Sequence, residues 1–368
     1  MATTEKDPQR KLPPEEAELS SNLSIPMPSK LSDTMPWASQ MEDSLPYLIS
    51  ELNLNSTVLS SLGYQMDEFV VLCKYGDRKC NFSQEMRMFL DPSYGNCFTF
   101  NPTANTHFSR RAGQKLGLKL VFHMPSSDFL PFILSSGYKL LFHDPDEQPV
   151  MAMAGITCSS GEYYSFSIKK TKVTLPGAPY KACSTNTTTK GETFYTNKSY
   201  SIETCMASCY QQMVVSLCSC GDPRYPLPKG GVHCNITQKA CVDDAASRAA
   251  DYISTSNCQC KPSCSSTMYN VEQTKAAWPS PSFMPSTCEG KSGLNLESCK
   301  EKLKKTHSRV DIYYGVMTST RVVGYAKYTM LQLVSDTFAN IGFWLNLCAI
   351  SIFEVVVFPT LAIYQMIK

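Results

Sequence analysis

The chain lacks the paired ligand motifs that structural zinc sites use. Its 368 residues include 17 cysteines but no Cys-x-x-Cys motif, and its five histidines form no His-x-x-x-His pair. Structural zinc sites usually draw their ligands from such pairs. Zinc is therefore the minor alternative for this cysteine content, and we expect neither a metal nor a cofactor.

Catalytic motifs and a strong charge bias are also absent. No Gly-x-Ser-x-Gly or His-Glu-x-x-His motif occurs, and the Gly-Lys-Ser at residues 290–292 has Pro285 where a phosphate-binding loop needs glycine. The net charge is only +2, which gives no electrostatic reason to bind nucleic acid. The sequence predicts neither an enzyme nor a nucleic-acid-binding protein.

Long apolar runs are missing everywhere except near the carboxyl end. Residues 341–367 contain one charged residue, Glu354, in a span longer than a bilayer requires. Trp344 and Lys368 near the two ends suit the membrane interfaces. We predict a transmembrane helix within residues 336–368, with a buried core helix as the alternative. Glu354 is a candidate functional residue because a charge in hydrocarbon is costly; its alternative is a protonated glutamate hydrogen-bonded between helices.

Cysteine is plentiful in one short region. Ten cysteines fall within residues 183–264, namely Cys183, Cys205, Cys209, Cys218, Cys220, Cys234, Cys241, Cys258, Cys260 and Cys264. Asn-x-Ser/Thr sequons lie in and around this region, at Asn22, Asn55, Asn81, Asn186, Asn197 and Asn235. The sequons indicate passage through the secretory lumen, where thiols are oxidised. We therefore predict disulfides.

The amino terminus has no apolar signal region. A single carboxyl-terminal helix without an upstream signal would leave residues 1–340 in the cytosol, whereas the sequons and cysteines indicate an extracellular location. Either an upstream membrane segment is missing from this chain or the cysteine interpretation is wrong. We expect the first.

Composition and periodicity divide the chain into six segments. They are a disordered segment at 1–40, a helical region at 41–91, a β-rich region at 92–182, a disulfide-stapled region with two helices at 183–265, a region with an amphipathic helix and a returning strand at 266–335, and the membrane helix at 336–368. The patterns GNCFTF, LKLVFH, YKLLFH and YYSFSIKKTKVTL predict strands, and residues 294–307 predict an amphipathic helix. The predicted fold class is α+β, a disulfide-rich domain followed by one carboxyl-terminal transmembrane helix.

Several motifs follow one another in an order that known channels share. Cys73 and Cys80 precede Tyr-Gly-Asn-Cys-Phe-Thr-Phe-Asn at residues 94–101. CMASC, CSC, CQCKPSC and YNVEQTKAAWPS come next, and DIYYGV, LVSD and the apolar helix close the series. Over residues 44–368 the chain resembles the degenerin/epithelial sodium channel family, which includes the acid-sensing channels.

The resemblance implies a domain plan and a function. The expected domains are a finger at 41–91, a β-ball and palm at 92–182, a thumb at 183–265, a knuckle with return palm strands at 266–335, and a pore-type helix at 336–368. The implied protein is a subunit of a trimeric, stimulus-gated sodium channel in the plasma membrane, with its large domain extracellular. Its partners would be sodium ions, the lipid bilayer, and identical or related subunits.

The resemblance also implies a cysteine pairing. The expected pairs are Cys73–Cys80, Cys183–Cys264, Cys205–Cys260, Cys209–Cys258, Cys218–Cys241 and Cys220–Cys234. Cys288 and Cys299 are candidates for a further local pair. In the family, the partner of Cys97 lies just after a first membrane helix, so here Cys97 is unpaired unless it joins Cys158. Glycans are expected at Asn55, Asn81, Asn186, Asn197 and Asn235.

Pore residues are implied by position in the same way. Ser335 matches the small-residue gating position, and Asp336 and Glu354 would favour cations in the pore or vestibule. Asn346, Leu347 and Cys348 stand where the family has a Gly-x-Ser constriction, and these larger side chains should alter or close the pore.

Two other functions are open. The chain has neither the family's first membrane helix nor its His-Gly pair, which suits a truncated, non-conducting subunit that modulates full-length channels. The alternative from another class is a single-pass, cysteine-rich receptor.

Overall fold

The computed structural model describes most of the chain. The described residues are 31–103, 107–125, 129–151, 155–184, 193–195, 199–254, 258, 260–345 and 349–368. The strands in chain order are β1 (Val70–Tyr75), β2 (Arg78–Lys79), β3 (Met86–Asp91), β4 (Gly95–Phe100), β5 (Leu118–His123), β6 (Tyr138–Leu140), β7 (Ile156–Cys158), β8 (Glu162–Thr174), β9 (Ser265–Ala277), β10 (His307–Tyr314) and β11 (Thr320–Val323).

Helices flank these strands in the sequence. They are α1 (Leu31–Glu51), α2 (Ser56–Leu62), α3 (Met66–Phe69), α4 (Phe82–Glu85), α5 (Ile202–Cys218), α6 (Lys239–Ser254), α7 (Gly293–Thr306), α8 (Met330–Leu345) and α9 (Ala349–Ile367). The described part of the chain is thus an α+β fold.

A seven-stranded sheet organises the fold, in the order β11-β8-β10-β5-β1-β2 with β9 on the other side of β8. Strand β8 pairs with three other strands. One edge of β8 pairs along its whole length with antiparallel β9. The opposite edge pairs in parallel first with β10 and then with β11. Two hairpins, β3–β4 and β6–β7, stand outside this sheet.

The core lies against one face of the sheet. In β5 the side chains alternate, so that Leu118, Leu120 and Phe122 are buried while the residues between them are half-buried. Alternation places successive side chains on opposite faces. Phe166 of β8 and Val310 of β10 extend the buried row across the neighbouring strands.

The cysteine-rich region is helical. Helix α5 begins after Ser201, whose hydroxyl accepts a hydrogen bond from the Thr204 amide at 3.2 Å. This cap satisfies a donor that the first helical turn leaves unpaired. Met213 and Val214 of α5 pack against Val242 of α6 in a second core.

Periodicity identified several elements. The predicted strands at GNCFTF, LKLVFH, YKLLFH and YYSFSIKKTKVTL are confirmed, although YKLLFH is a strand only over Tyr138–Leu140. The predicted helix at 294–307 is confirmed as α7, and the returning strand as β10. The region 183–265 contains two helices, as predicted.

Other expectations were wrong. Helix α1 begins at Leu31, inside the segment predicted to be disordered, and Trp37 packs edge-on against Phe132 with ring centroids 6.5 Å apart. Strands β1 and β3 lie within the region predicted to be helical. Pairing with β5 and β4 determines the extended conformation of these two segments.

Candidate functional site

Seven disulfides staple the described residues. They are Cys73–Cys80, Cys183–Cys264, Cys205–Cys260, Cys209–Cys258, Cys218–Cys241, Cys220–Cys234 and Cys288–Cys299. The first six are the pairs that the resemblance implied, and the seventh is the local candidate. No described group of three or more His, Cys, Asp or Glu residues is arranged to hold a metal ion.

The staples form a ladder along α5. Cys205 and Cys209 are one helical turn apart, and their Cα atoms lie 5.7 and 5.9 Å from those of Cys260 and Cys258. Residues four apart share one face of a helix. Both disulfides therefore join this face of α5 to the segment that contains Cys258 and Cys260. Cys218 then joins the end of α5 to the start of α6.

Two thiols stay unpaired among the described cysteines, Cys97 (half-buried) and Cys158 (buried). They are not joined to each other. Burial raises the pKa of each to about 12, with Asp91 adding to the effect at Cys97. Both are therefore neutral thiols at physiological pH and weak nucleophiles. Cys97 lines an apolar cavity of about 500 Å³.

A buried charge pair sits beside the ladder, where sequence analysis had singled out no residue. The Asp222 side chain is fully buried, and the guanidinium of Arg224 donates to it at 2.7 and 3.0 Å. Gln211 of α5 completes the network: its Oε1 accepts from the Asp222 amide and its Nε2 donates to the Asp222 carbonyl, both at 3.0 Å. The only sequence signal was an Asp-Pro-Arg turn after the Cys-x-Cys motif.

Helix α1 docks onto this region. Tyr47 is completely buried in the α5–α6 core. Burial, with the negative charge of Asp222, raises the pKa of the Tyr47 hydroxyl. At the end of α1, the Glu51 carboxylate accepts a hydrogen bond from the Ile236 amide at 3.0 Å. The amino-terminal helix is thus fixed to the stapled region.

An acidic loop meets the start of α5. The carbonyl of Asp146 accepts hydrogen bonds from the amide and hydroxyl of Ser199, each at 2.8 Å. Burial, followed by the charges of Asp144, Glu203 and Asp146, raises the pKa of Glu147 to about 7. Like charges crowded in a half-buried site disfavour ionisation.

A cavity of about 650 Å³ lies beside this loop and is lined by Asp144, Asp146 and the tyrosines Tyr75, Tyr269 and Tyr314. Burial, followed by the neighbouring Tyr314 and Asp144, raises the pKa of Tyr269 to about 12. Its hydroxyl therefore stays protonated at physiological pH.

The sequons differ in accessibility. Asn55 and Asn81 are exposed. Asn235 is half-buried and caps a short 3₁₀ turn, where its Oδ1 accepts from the Gln238 amide at 3.1 Å. Asn186 and Asn197 lie outside the described residues.

The carboxyl end is described as two helices. Thr329 caps α8, because its hydroxyl accepts from the Gln332 amide at 3.2 Å while the Gln332 side chain accepts from the Thr329 amide. Asp336 follows one turn later and accepts a hydrogen bond from the Tyr328 hydroxyl. Ser335 is exposed beside it on α8, and Glu354 is exposed on α9.

The filter-level residues Asn346, Leu347 and Cys348 lie outside the described residues. No helix within the described residues combines the length and apolar character that crossing a membrane requires.

Comparison with known proteins identifies related sequences. The family model of the amiloride-sensitive sodium channel matches residues 5–358. Degenerin unc-8 of Caenorhabditis elegans is 30% identical over 335 residues, which cover 89% of this chain and 43% of that protein. Degenerin deg-1 of the same organism is 27% identical, with 89% and 42% covered, and degenerin mec-4 of Caenorhabditis briggsae is 29% identical, with 77% and 37% covered.

The chain spans less than half the length of these curated relatives. The match nevertheless runs through the sheet, the stapled helices and α8, and it shows a family of ion channels rather than enzymes. The chain belongs to the amiloride-sensitive sodium channel (degenerin) family.

Proposed function

We propose that this chain is a subunit of a trimeric, stimulus-gated sodium channel of the plasma membrane. The observation that carries the proposal is the family match over residues 5–358. Its domains would be those of the sequence analysis, with the α5–α6 region (183–265) as the thumb and the seven-stranded sheet as the palm.

An extracellular location for residues 41–335 is supported by the seven disulfides, because such bonds persist in oxidising compartments. Residues 336–368 would lie in the membrane. In support, α8 and α9 expose large apolar side chains, with Phe343 and Trp344 each 79% exposed. Such surfaces on a soluble monomer are uncommon and suit contact with lipid or other subunits.

The mechanism follows from how the elements are tied together. A stimulus opens a channel only if it binds or favours the open state more strongly than the closed one. Movement of the stapled thumb would be passed to the palm through the acidic loop, whose Asp146 binds Ser199 just before α5. Strand β11 ends at Val323, only six residues before Thr329 caps α8, so palm movement would reach the pore directly.

The pore itself is assigned from the resemblance. Ser335 would be the gating position, Asp336 and Glu354 the acidic groups that favour cations, and Asn346, Leu347 and Cys348 the filter level.

The experiment is a current recording on cells that express the chain with a related full-length subunit. Ser335→Trp should raise the constitutive sodium current several-fold, because bulk at a gating position obstructs closure. Thr337→Trp is the matched control: it is two residues away, on a different face of α8, and should leave the current unchanged. Unchanged current from Ser335→Trp at normal surface expression would count against a pore role for α8.

A second candidate function is a non-conducting subunit that changes the assembly or trafficking of full-length channels. The observation in its favour is the bulk of Asn346 and Leu347 at the filter level. Affinity purification followed by mass measurement separates the candidates. Hetero-assembly without sodium current supports the modulator, whereas a monomer that binds a ligand supports a receptor.

A further inference from the structure

Two histidines that are far apart in the chain meet across neighbouring strands. His123 is the last residue of β5 and His307 is the first residue of β10, and the antiparallel register places them directly opposite each other. Their ring centroids are 4.5 Å apart, with 38° between the ring planes. No spacing in the sequence shows this pair.

The pair lies on the face of the sheet away from the core. In β5 the core residues alternate with the half-buried ones, and His123 belongs to the second set, as does His307 in β10. Arg309 lies on the same face, two residues along β10, and its guanidinium donates to Asp311 at 3.2 Å. Both imidazoles are half-buried on this face.

Hydrogen bonding fixes the proton of one ring. The Thr306 hydroxyl donates to the Lys302 carbonyl at 2.8 Å, so its oxygen is left to accept. Nδ1 of His307 lies 2.8 Å from that oxygen and must be the donor. The lone pair of His307 is then on Nε2. An imidazole whose other nitrogen donates to an oxygen is the usual arrangement of a histidine that ligates a metal.

A neutral imidazole can coordinate a metal through its unprotonated nitrogen, and in His307 that nitrogen is Nε2.

The spacing also suits a shared ion. With metal–nitrogen distances of about 2.0–2.1 Å, two imidazoles on one ion at an angle of 90–110° have centroids about 4.5–5 Å apart. The observed 4.5 Å falls at the lower end of that range.

We propose that His123 and His307 together bind one divalent transition-metal ion of the zinc or nickel class. Imidazole is a preferred ligand for these metals, and water would fill the remaining positions, since no described cluster offers three or more protein ligands. The bound ion would clip β5 to β10. Such a site is exchangeable, unlike a closed structural site, and it does not depend on whether the chain conducts.

The test is Ni²⁺ binding to the full-length chain, purified in detergent without a histidine tag and measured by titration calorimetry and by thermal unfolding. Wild-type protein should bind one ion and unfold at a higher temperature as Ni²⁺ is added, because a ligand that binds only the folded state stabilises it. His123→Asn or His307→Asn should each weaken binding at least ~10-fold. The losses of the two single variants should not add in the double variant, because the two rings share one ion.

His233→Asn is the matched control, since His233 is exposed on the α5–α6 region and should keep wild-type affinity. A second measurement needs no variant. Ni²⁺ should protect only the peptides with His123 and His307 from modification by diethyl pyrocarbonate. Equal loss of affinity in the control variant, or protection spread over all five histidines, would overturn the proposal.

Discussion

At the scale of single residues, the buried Asp222–Arg224 pair contributes to the stability of the cysteine-rich region. Asp222 is enclosed, accepts hydrogen bonds from Arg224 and contacts Gln211 through its own backbone. The attraction within a buried ion pair adds little to the free energy of folding. Removal of one partner is costly, because the other charge then stays buried without its counter-charge.

We expect Asp222→Asn to lower the free energy of unfolding by about 3 kcal/mol, because the variant leaves a half-buried guanidinium without its counter-charge. Thermal or urea unfolding of the oxidised protein measures it. The control is Asp243→Asn, which removes the exposed partner of Lys239 on α6. An exposed pair of this kind is worth at most about 0.5 kcal/mol, so equal losses in the two variants would refute the argument.

Glu147 gives a prediction about pH. Its pKa of about 7 in the folded chain is above the value of about 4.3 in an unfolded chain, so the folded state holds the proton more tightly. Stability therefore falls as pH rises from about 4.3 to about 7. Glu147→Gln should leave the unfolding temperature nearly unchanged at pH 5 and raise it at pH 8.

Unfolding of wild type and Glu147→Gln at both pH values checks this expectation. Glu301→Gln, which removes an exposed carboxylate of α7, should change little at either pH. A loss of stability at pH 8 in Glu147→Gln would show that the ionised carboxylate has a favourable partner, contrary to the crowding of Asp144, Asp146 and Glu203.

At the scale of elements, the staples along α5 are partly redundant. Cys205–Cys260 and Cys209–Cys258 close loops of 55 and 49 residues that nearly coincide. Cross-links stabilise mainly by restricting the unfolded chain. Once one of these disulfides has formed, the other therefore removes little further conformational entropy from the unfolded chain.

Replacing both cysteines of either pair by serine should cost about 1–2 kcal/mol, whereas removing both pairs should cost about 4 kcal/mol. Cys288→Ser with Cys299→Ser is the control, because that bond closes an 11-residue loop with no neighbouring staple and should cost about 3 kcal/mol. Non-reducing unfolding measures all three. A combined loss equal to the sum of the two single losses would mean that the two disulfides restrict the unfolded chain independently.

Apolar periodicity identified the helices and strands whose own residues show it. It missed the strands that form only because a segment distant in the sequence pairs with them. Alternation in β5 and the apolar stripe of α7 are local, so both were predicted. Strand β9 is exposed along most of its length and exists because β8 pairs with it residue by residue. The contact between His123 and His307 depends on the register between strands, which a single sequence does not contain.

At the scale of the whole molecule, sequence resemblance supplied more than local physics did. The predictions of disulfides and of a secretory location followed from cysteines and sequons, but the predicted pairing came from the resemblance. The domain plan came from the same source. The docking of α1 on the α5–α6 core through Tyr47 came from neither, because it joins segments whose individual patterns are unremarkable.

Glycosylation tests where the whole large domain resides. In animal cells, Asn55→Gln and Asn81→Gln should each remove one glycan, seen as a step in gel mobility, because both side chains are exposed. Asn235→Gln should remove a glycan and also lower stability by about 1 kcal/mol, since it deletes a cap. No mobility shift after enzymatic removal of N-glycans would place the domain in the cytosol.

Strand β8 governs how the molecule would respond to a pull along the chain. Because β11 pairs with its last residues in parallel and leads into α8, a force that draws α8 away from the far end of β8 runs along the strands. The β8–β11 hydrogen bonds would then be strained in shear, all at once, rather than peeled apart one after another. A force applied at α8 would therefore displace the sheet as a rigid body before it separated β11 from β8.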